Sequence, residues 1–388
     1  MEIEIREMVE MAGLSEEILE VHGITPGKKP EGVTRLIYEN LNGLKNRIEG
    51  NEKLDKAKEI INDLEVDIVA YNEHRMNLGY KQNRNGLSQM FNGGECEVRS
   101  VAGHNVHEKQ CGRVQQEGTA MMLYGPLIEQ FDFKSSGKDN TGLGRWVYMT
   151  LQRGDGIVTR IVCGYNSCNS GTKATCSSYQ QQRRHFITRK RDRTSPRTRF
   201  KTDLITQLKE WRRKGNRLIV CMGVNKDIYR KIIGKSLTDS EDLQMVEAVG
   251  NYTGLKIKAT FFRGSKPIDD VWTTPDVAVT GGCVMSDGYG VGDHCLCVVD
   301  ILTLSLIGHN PPKIFKAAER RLNTTMPKAE TNHLKKIESL VVKHCIVERL
   351  IRANSTSKSK EFLKIKLDAI YNEQKECMLN TKKQCRKI

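Results

Sequence analysis

The chain has 388 residues, 38% of them hydrophobic, and a formal net charge of +15. That length accommodates one large core with an appendage or two ordinary domains, and so large a positive excess points away from an ordinary metabolic enzyme and toward a polyanionic partner. No apolar run approaches the length of a membrane span, and the 12 cysteines contain no C-x-x-C pair, so they read as reduced thiols rather than a disulfide framework or paired zinc ligands.

Residues 1–32 read as a short acidic helix followed by the linker "GITPGKKPEG". The start lacks the basic and apolar segments of a signal peptide, so an intracellular protein is expected. From 33 to 301 the pattern is rich in strands. In chain order they are "VTRLIYENL", "DIVAYNE", "CEVRSVAGHNV", "TAMMLYG", "RWVYMTLQ", "IVTRIVCGYN", "RLIVCMGVN", "ATFFR", "IDDVWTT", "VAVTGGCVM" and "CLCVVDI". Their β-branched and aromatic content, bounded by glycine and polar turns, carries the assignment. Between them, "NEKLDKAKEIINDLEV" and "KTDLITQLKEWRRKG" have apolar residues at helical spacing, and "TDSEDLQMVEAVGNY" opens on a cluster suited to an N-cap. Many strands with interposed helices imply an α/β fold, two β-sheets packed as a sandwich with helices outside.

Two stretches concentrate the charge. Arg183–Lys201, "RRHFITRKRDRTSPRTRFK", holds nine basic residues and one acid and reads as a solvated loop. Arg183, Arg184, Arg189, Lys190 and Arg191 are its candidate nucleic-acid contacts. Residues 302–388 read as a separate basic helical extension, including "PPKIFKAAERRLN". From Lys313 onward this segment has 19 Lys and Arg against 8 Asp and Glu.

Polar side chains recur where buried strands end. Asn40 and Asn42 follow the first strand, Glu73 the second, Tyr165 and Asn166 a later one, and Asn225 another. Asp269 precedes one strand, and Asp293 and His294 precede the last. Strands of one sheet would bring such groups together. "HNVHE" has metal-like spacing, but on a strand its two histidines diverge.

The order and wording of these motifs resemble the endonuclease/exonuclease/phosphatase superfamily. It includes DNase-I-like nucleases, abasic-site endonucleases and the endonucleases of LINE-type retrotransposons. The resemblance covers residues 33–301, with Gly-Asp-His before an apolar strand as its most specific piece. "YNEHR", "GRWVYMTLQ" and "FRGSKPIDDVW" look closest to endonuclease-like domains of algal and diatom mobile elements. The resemblance implies phosphodiester hydrolysis assisted by magnesium or manganese, with Glu73, Asn42 and Asp293 as metal ligands. It further implies that His294, held by Asp269, contacts the phosphate, that Tyr165 and Asn40 bind phosphate oxygens, and that Asn225 positions water. The implied partner is nucleic acid, DNA ahead of RNA, without a membrane, in the nucleus ahead of the cytoplasm.

One motif departs from the family. Where members carry Asp-x-Asn, this chain reads Gly223-Val224-Asn225. Strand alternation would put residues 223, 225 and 227 on one face, with Asp227 about 13 Å beyond the missing acid. Loss of a positioned base costs about 10²- to 10⁴-fold in rate. Three functions therefore stay open: an impaired nuclease domain, an inactive nucleic-acid-binding descendant, and a phosphatase for a small molecule or lipid headgroup.

Overall fold

A computed structural model describes residues 22–23, 26–44, 51–79, 86–92, 97–107, 115–152, 156–229, 232–309, 327–343, 345–356, 367 and 369–370. The chain divides into two units, Met1–Lys313 and Ile314–Ile388.

The first unit is the expected sandwich: two mixed β-sheets flanked by helices. The strands are β1 (His22–Gly23), β2 (Val33–Asn40), β3 (Ile68–Asn72), β4 (Val98–Gly103), β5 (Thr119–Tyr124), β6 (Gly137–Lys138) and β7 (Trp146–Gln152). There follow β8 (Val158–Tyr165), β9 (Arg217–Gly223), β10 (Val246–Glu247), β11 (Asp269–Thr273), β12 (Val279–Val284) and β13 (Cys297–Leu302). One sheet runs β1-β12-β13-β2-β3-β5-β4 and the other β10-β11-β9-β8-β7-β6. Each contains one parallel pair, β2 with β3 and β8 with β9. A parallel pair needs a long crossover. The helix Glu52–Asp63 supplies the first, and the helices Ser178–Lys190 and Pro196–Arg213 lie in the second.

The core follows the two-residue period of the strands. Leu36, Tyr38, Ile68 and Ala70 face Ile161, Cys163, Ile219, Cys221 and Val271 across the sandwich. Their neighbours Ile37, Val69 and Tyr71 turn the other way, in one cluster with Leu54, Ala57 and Ile61 of the Glu52–Asp63 helix. Strands buried on both faces read as unbroken apolar runs, which is why "RLIYENL" and "RLIVCM" show little alternation.

Pairing register then fixes where the polar strand ends meet. Asn40 is opposite Asn72, so β2 and β3 finish together. Tyr165 and Asp269 both lie opposite Gly223, so β8 and β9 finish where β11 begins. The sheets touch at that end, where Asn72 Nδ2 donates to Gly164 O at 2.9 Å.

Some sequence expectations are corrected. "ATFFR" forms no strand; only Phe261 bridges to His294, and Phe262 and Arg263 turn. The Arg183–Lys201 run is no loop, because most of it lies in the helices Ser178–Lys190 and Pro196–Arg213. Ser177 and Ser195 cap these helices by accepting from the amides of Gln180 and Thr198. "TDSEDLQMVEAVGNY" is not one helix. The helix Ile232–Thr238 stops there, and a new one, Ala248–Thr253, begins only after Glu247 caps it.

The short helix Thr303–Ile307 packs on the sandwich: Leu306 and Ile307 join its core, and Thr303 is hydrogen-bonded to Thr34 at 2.8 Å. His22–Gly23 pairs with β12. The acidic helix expected before residue 22 and the segment "PPKIFKAAERRLN" lie outside the described residues. In the second unit, Pro327–Lys343 and Ile346–Thr356 are helices, and Ile346 and Ile370 are buried against each other.

Candidate active site

The strand ends depart from regular backbone at the residues that matter. Asn42, Glu73 and Asn225 have φ of 48°, 50° and 52°. The left-handed region suits asparagine far better than glutamate, so Glu73 holds a conformation that neighbouring structure must enforce. It does so through backbone bonds on both sides: Gly43 N donates to Glu73 O at 2.7 Å, and Arg75 N donates to Glu117 O at 2.9 Å.

Two groups of side chains assemble. In the first, Asn40 Nδ2 donates to Glu73 Oε1 at 3.2 Å, and Tyr165 OH donates to the same oxygen. Burial, then the adjacent Glu73 charge, pushes the Tyr165 phenol well above its usual range, so it stays a donor. Asn40 Oδ1 accepts from the Asn42 amide at 3.1 Å, and Asn42 Nδ2 reaches Asp293 Oδ2 at 2.8 Å. Glu73, Asn40, Asn42 and Asp293 are therefore one hydrogen-bonded chain.

In the second group, His294 Nδ1 lies 2.5 Å from Asp269 Oδ2, and Thr260 Oγ1 donates to that oxygen at 3.0 Å. Tyr38 OH donates to Asp269 Oδ1 at 3.2 Å. Burial works against protonation of His294, but the Asp269 carboxylate outweighs it and the net shift is upward. His294 Nε2 and Asp293 Oδ1 are 4.0 Å apart, which joins the two groups.

The donor set suits a hard cation. Asp293 Oδ1 is buried with no hydrogen-bond partner, and Glu73 and Asn42 offer further oxygens. Magnesium commonly takes only one or two protein carboxylates and keeps waters for the rest. Among the described residues no three His, Cys, Asp or Glu side chains gather as a metal cluster. Glu73 Oε2 is engaged by Arg75 at 2.8 Å, so a cation there shares the carboxylate with a guanidinium.

Position 223 differs from the sequence expectation. β9 ends at Gly223, and Asn225 lies beyond it in left-handed backbone, so the strand alternation assumed for 223, 225 and 227 stops. Asn225 Nδ2 donates instead to Asn166 O at 2.9 Å, and Asp227 Oδ1 caps a turn at the Tyr229 amide at 3.0 Å. A β-carbon added at Gly223 would lie 3.1 Å from Asn72 Nδ2, 3.1 Å from Asp269 Oδ1 and 3.2 Å from Tyr38 OH. The space is closed by a buried network, in which Asn72 Nδ2 also donates to Tyr38 OH at 2.8 Å.

Three site residues have no motif that would reveal them. Glu39 is buried under the Asp293 loop. Its Oε1 accepts from the Val291 and Gly292 amides, each at 2.6 Å, and burial raises its pKa to about 7. Arg197, inside the basic run, donates to Val224 O at 2.7 Å and also to Ser167 O, tying the end of β8 to the end of β9. Asn72, next to Glu73, is legible in the sequence only as the end of a strand, yet its Nδ2 donates to Tyr38 OH and Gly164 O. Asn166 uses its backbone carbonyl here, while its buried Oδ1 has no partner.

Arg183, Arg184, Arg189, Lys190 and Arg191 are exposed, on or just after a helix whose inner face buries Gln181, Gln182, His185 and Phe186. A cleft of about 490 Å³ opens beside Asn166 and Val224, edged by Tyr179, Arg197, Lys201 and Lys226. The "HNVHE" histidines lie past the end of β4 and not on a strand: His107 Nε2 contacts Thr141 O at 2.8 Å, and its ring centre is 4.2 Å from that of His185.

No family model matches the sequence, and no curated protein matches it. Solved structures similar to it include the human Nocturnin catalytic domain with bound sulfate, 15% identical with a TM-score of 0.48 over 70% of this chain and 95% of that one. The AP endonuclease LMAP from Leishmania major is 12% identical, TM-score 0.49, over 72% of this chain and 93% of its own. The APE2 catalytic domain from Xenopus laevis is 13% identical, TM-score 0.46, over 69% and 92%. At these identities the likeness is one of fold.

Proposed function

We propose that residues 33–301 form a metal-dependent phosphodiesterase domain of the endonuclease type, acting on nucleic acid with DNA as the first candidate and working at reduced rate. The observation that carries this reading is the convergence of Asp269–His294 with the Glu73–Asn40–Asn42–Asp293 chain at one edge of the sandwich. Glu73, Asn42 and Asp293 would hold magnesium or manganese, which when bound supplies charge neutralisation at the phosphate. His294, whose protonated form the Asp269 carboxylate favours, presents Nε2 to a phosphate oxygen. Tyr165 and Asn40 orient Glu73 and offer further donors. Asn225, fixed by Asn166 O, is the remaining half of the water-positioning pair.

Nucleic acid is supported by the net charge of +15, the exposed arginines after Gln182, and the basic edge of the adjacent cleft. A mobile-element origin and a nuclear location belong to the same reading and rest on the sequence wording and the charge. A second reading is a binding protein without turnover. It is favoured by one observation, the closed space at Gly223.

The test is nicking of supercoiled plasmid, with magnesium or EDTA, by wild type, His294→Ala and Gly223→Asp. Slow magnesium-dependent nicking, abolished in His294→Ala, is expected. Salt-sensitive binding with no nicking by any variant would install the second reading, and release of phosphate from inositol phosphates without nicking would install a phosphatase.

A further inference from the structure

The segment Thr260–Gly264 lies directly against the candidate active site and is held on both sides. Cys295 N donates to Thr260 O at 2.7 Å, Phe262 N to Asp293 O at 3.4 Å, and Phe261 bridges to His294. On the other side, Thr260 Oγ1 accepts from the Ile268 and Asp269 amides at 3.0 and 3.1 Å while donating to Asp269. Gly264 N closes the turn on Phe261 O at 2.7 Å.

On this base three side chains pack against one another, the two phenylalanine rings tilted by 50°. The Phe261 ring lies 5.0 Å from the His294 ring, and the Phe262 ring lies 5.6 Å from Phe261. The Arg263 guanidinium covers Phe262 at 5.0 Å and Phe261 at 5.6 Å, and comes within 3.7 Å of Asp293 Oδ2. Phe262 is 50% exposed. A lone exposed phenylalanine calls for no explanation. This one is anchored through its backbone amide to Asp293 O, next to His294, with an arginine laid on it. Aromatic faces and guanidinium planes are the side chains on which unstacked bases rest.

We propose that Phe262 and Arg263 form a stacking platform for an unpaired nucleobase beside the phosphate held at His294. The occupant is a single-stranded or locally unpaired stretch of nucleic acid, because a base inside a duplex has both faces covered. The proposal rests on the nucleic-acid reading above, and it adds which substrate form the site prefers. Arg263 supplies positive charge next to Asp293, so the platform also favours the phosphate side of the same nucleotide.

The test measures binding by the full chain in EDTA, so that no cleavage is needed. The probes are a single-stranded oligonucleotide carrying one 2-aminopurine and the matching duplex. Stacking of the 2-aminopurine on the protein is expected to change its fluorescence. Phe262→Ala should weaken single-strand binding by about 5- to 150-fold and change duplex binding less than twofold, while Phe262→Tyr keeps wild-type affinity. Equal losses for single strand and duplex, or a Phe262→Tyr loss as large as that of alanine, would overturn the platform and leave the nuclease reading standing. Selective loss in a protein that never nicks plasmid would keep the platform and remove the nuclease. Wild-type protein that binds neither probe removes both.

Discussion

Gly223 has no positive φ, so nothing in its backbone demands glycine; the surrounding atoms do. Gly223→Ala ordinarily gains about 0.5–1 kcal/mol in a strand by restricting the unfolded chain. Here the new methyl meets three polar atoms at 3.1–3.2 Å, in a network of fully buried Tyr38 and Asn72 with Asp269. Overpacking of that kind costs about 1–3 kcal/mol, so a net loss of about 1–2 kcal/mol is expected. That lowers Tm by roughly 2–6 °C in a unit of this size. Gly223→Asp adds a second carboxylate beside Asp269. Two like charges 4 Å apart oppose one another by about 4 kcal/mol at an effective dielectric of 20, so Asp should be less stable than Ala in EDTA. Excess magnesium should recover part of the difference for Asp and none for Ala. Thermal unfolding of the three proteins, with EDTA and with magnesium, decides it. If Gly223→Ala is more stable than wild type, the closed-space argument fails. If magnesium stabilises Ala and Asp alike, no cation sits near position 223.

Further outcomes can be measured at the same site and beneath it. Glu39 titrates at about 7 in the folded chain against about 4.5 unfolded, a raised acid, so its favourable term is complete below pH 4.5 and is lost as pH climbs through 7. Glu39→Gln lacks that term, and its stability relative to wild type should rise by about 3 kcal/mol between pH 4.5 and 7.5 in urea unfolding; a flat difference refutes it. Asp269→Asn should bring the His294 pKa down by NMR titration and cut any nicking by about 10²- to 10⁴-fold. Asp300→Ala strands the buried Arg35, which it holds at 2.7 and 2.8 Å, and should cost about 3–5 kcal/mol; a cost under 1 kcal/mol would show the pair to be dispensable.

The sandwich was legible because strands buried on both faces are dense apolar runs, and ten of the eleven expected segments carry a strand. "ATFFR" misled because its aromatic content reflects packing on His294 and exposure of Phe262, not pairing. The basic run misled in the opposite sense. Its buried face is made of glutamines, histidine and one phenylalanine, so it shows no apolar stripe, and its serine caps were the available signal. Within the site, Asp269, His294, Asn40, Asn42 and Glu73 come together because β2 and β3 of one sheet end beside the start of β11 in the other, where the two sheets meet. Alternation could not foresee that the chain turns left-handed at Asn225. Nor could composition reveal Glu39 or Arg197, whose roles depend on backbone amides and carbonyls brought from distant segments.

The pairing of β2 with β13 joins residues 33–40 to residues 297–302. During synthesis the first long strand therefore waits for some 260 residues before its second neighbour leaves the ribosome, and loop-closure entropy delays the pairing further. Until then one apolar edge of β2 is open to any passing strand. Arg35 must remain without Asp300 for the same interval. The last strand thus completes both the sheet and the burial of a charge made at the beginning, so any product ending before Asp300 would expose a sticky, charged seam.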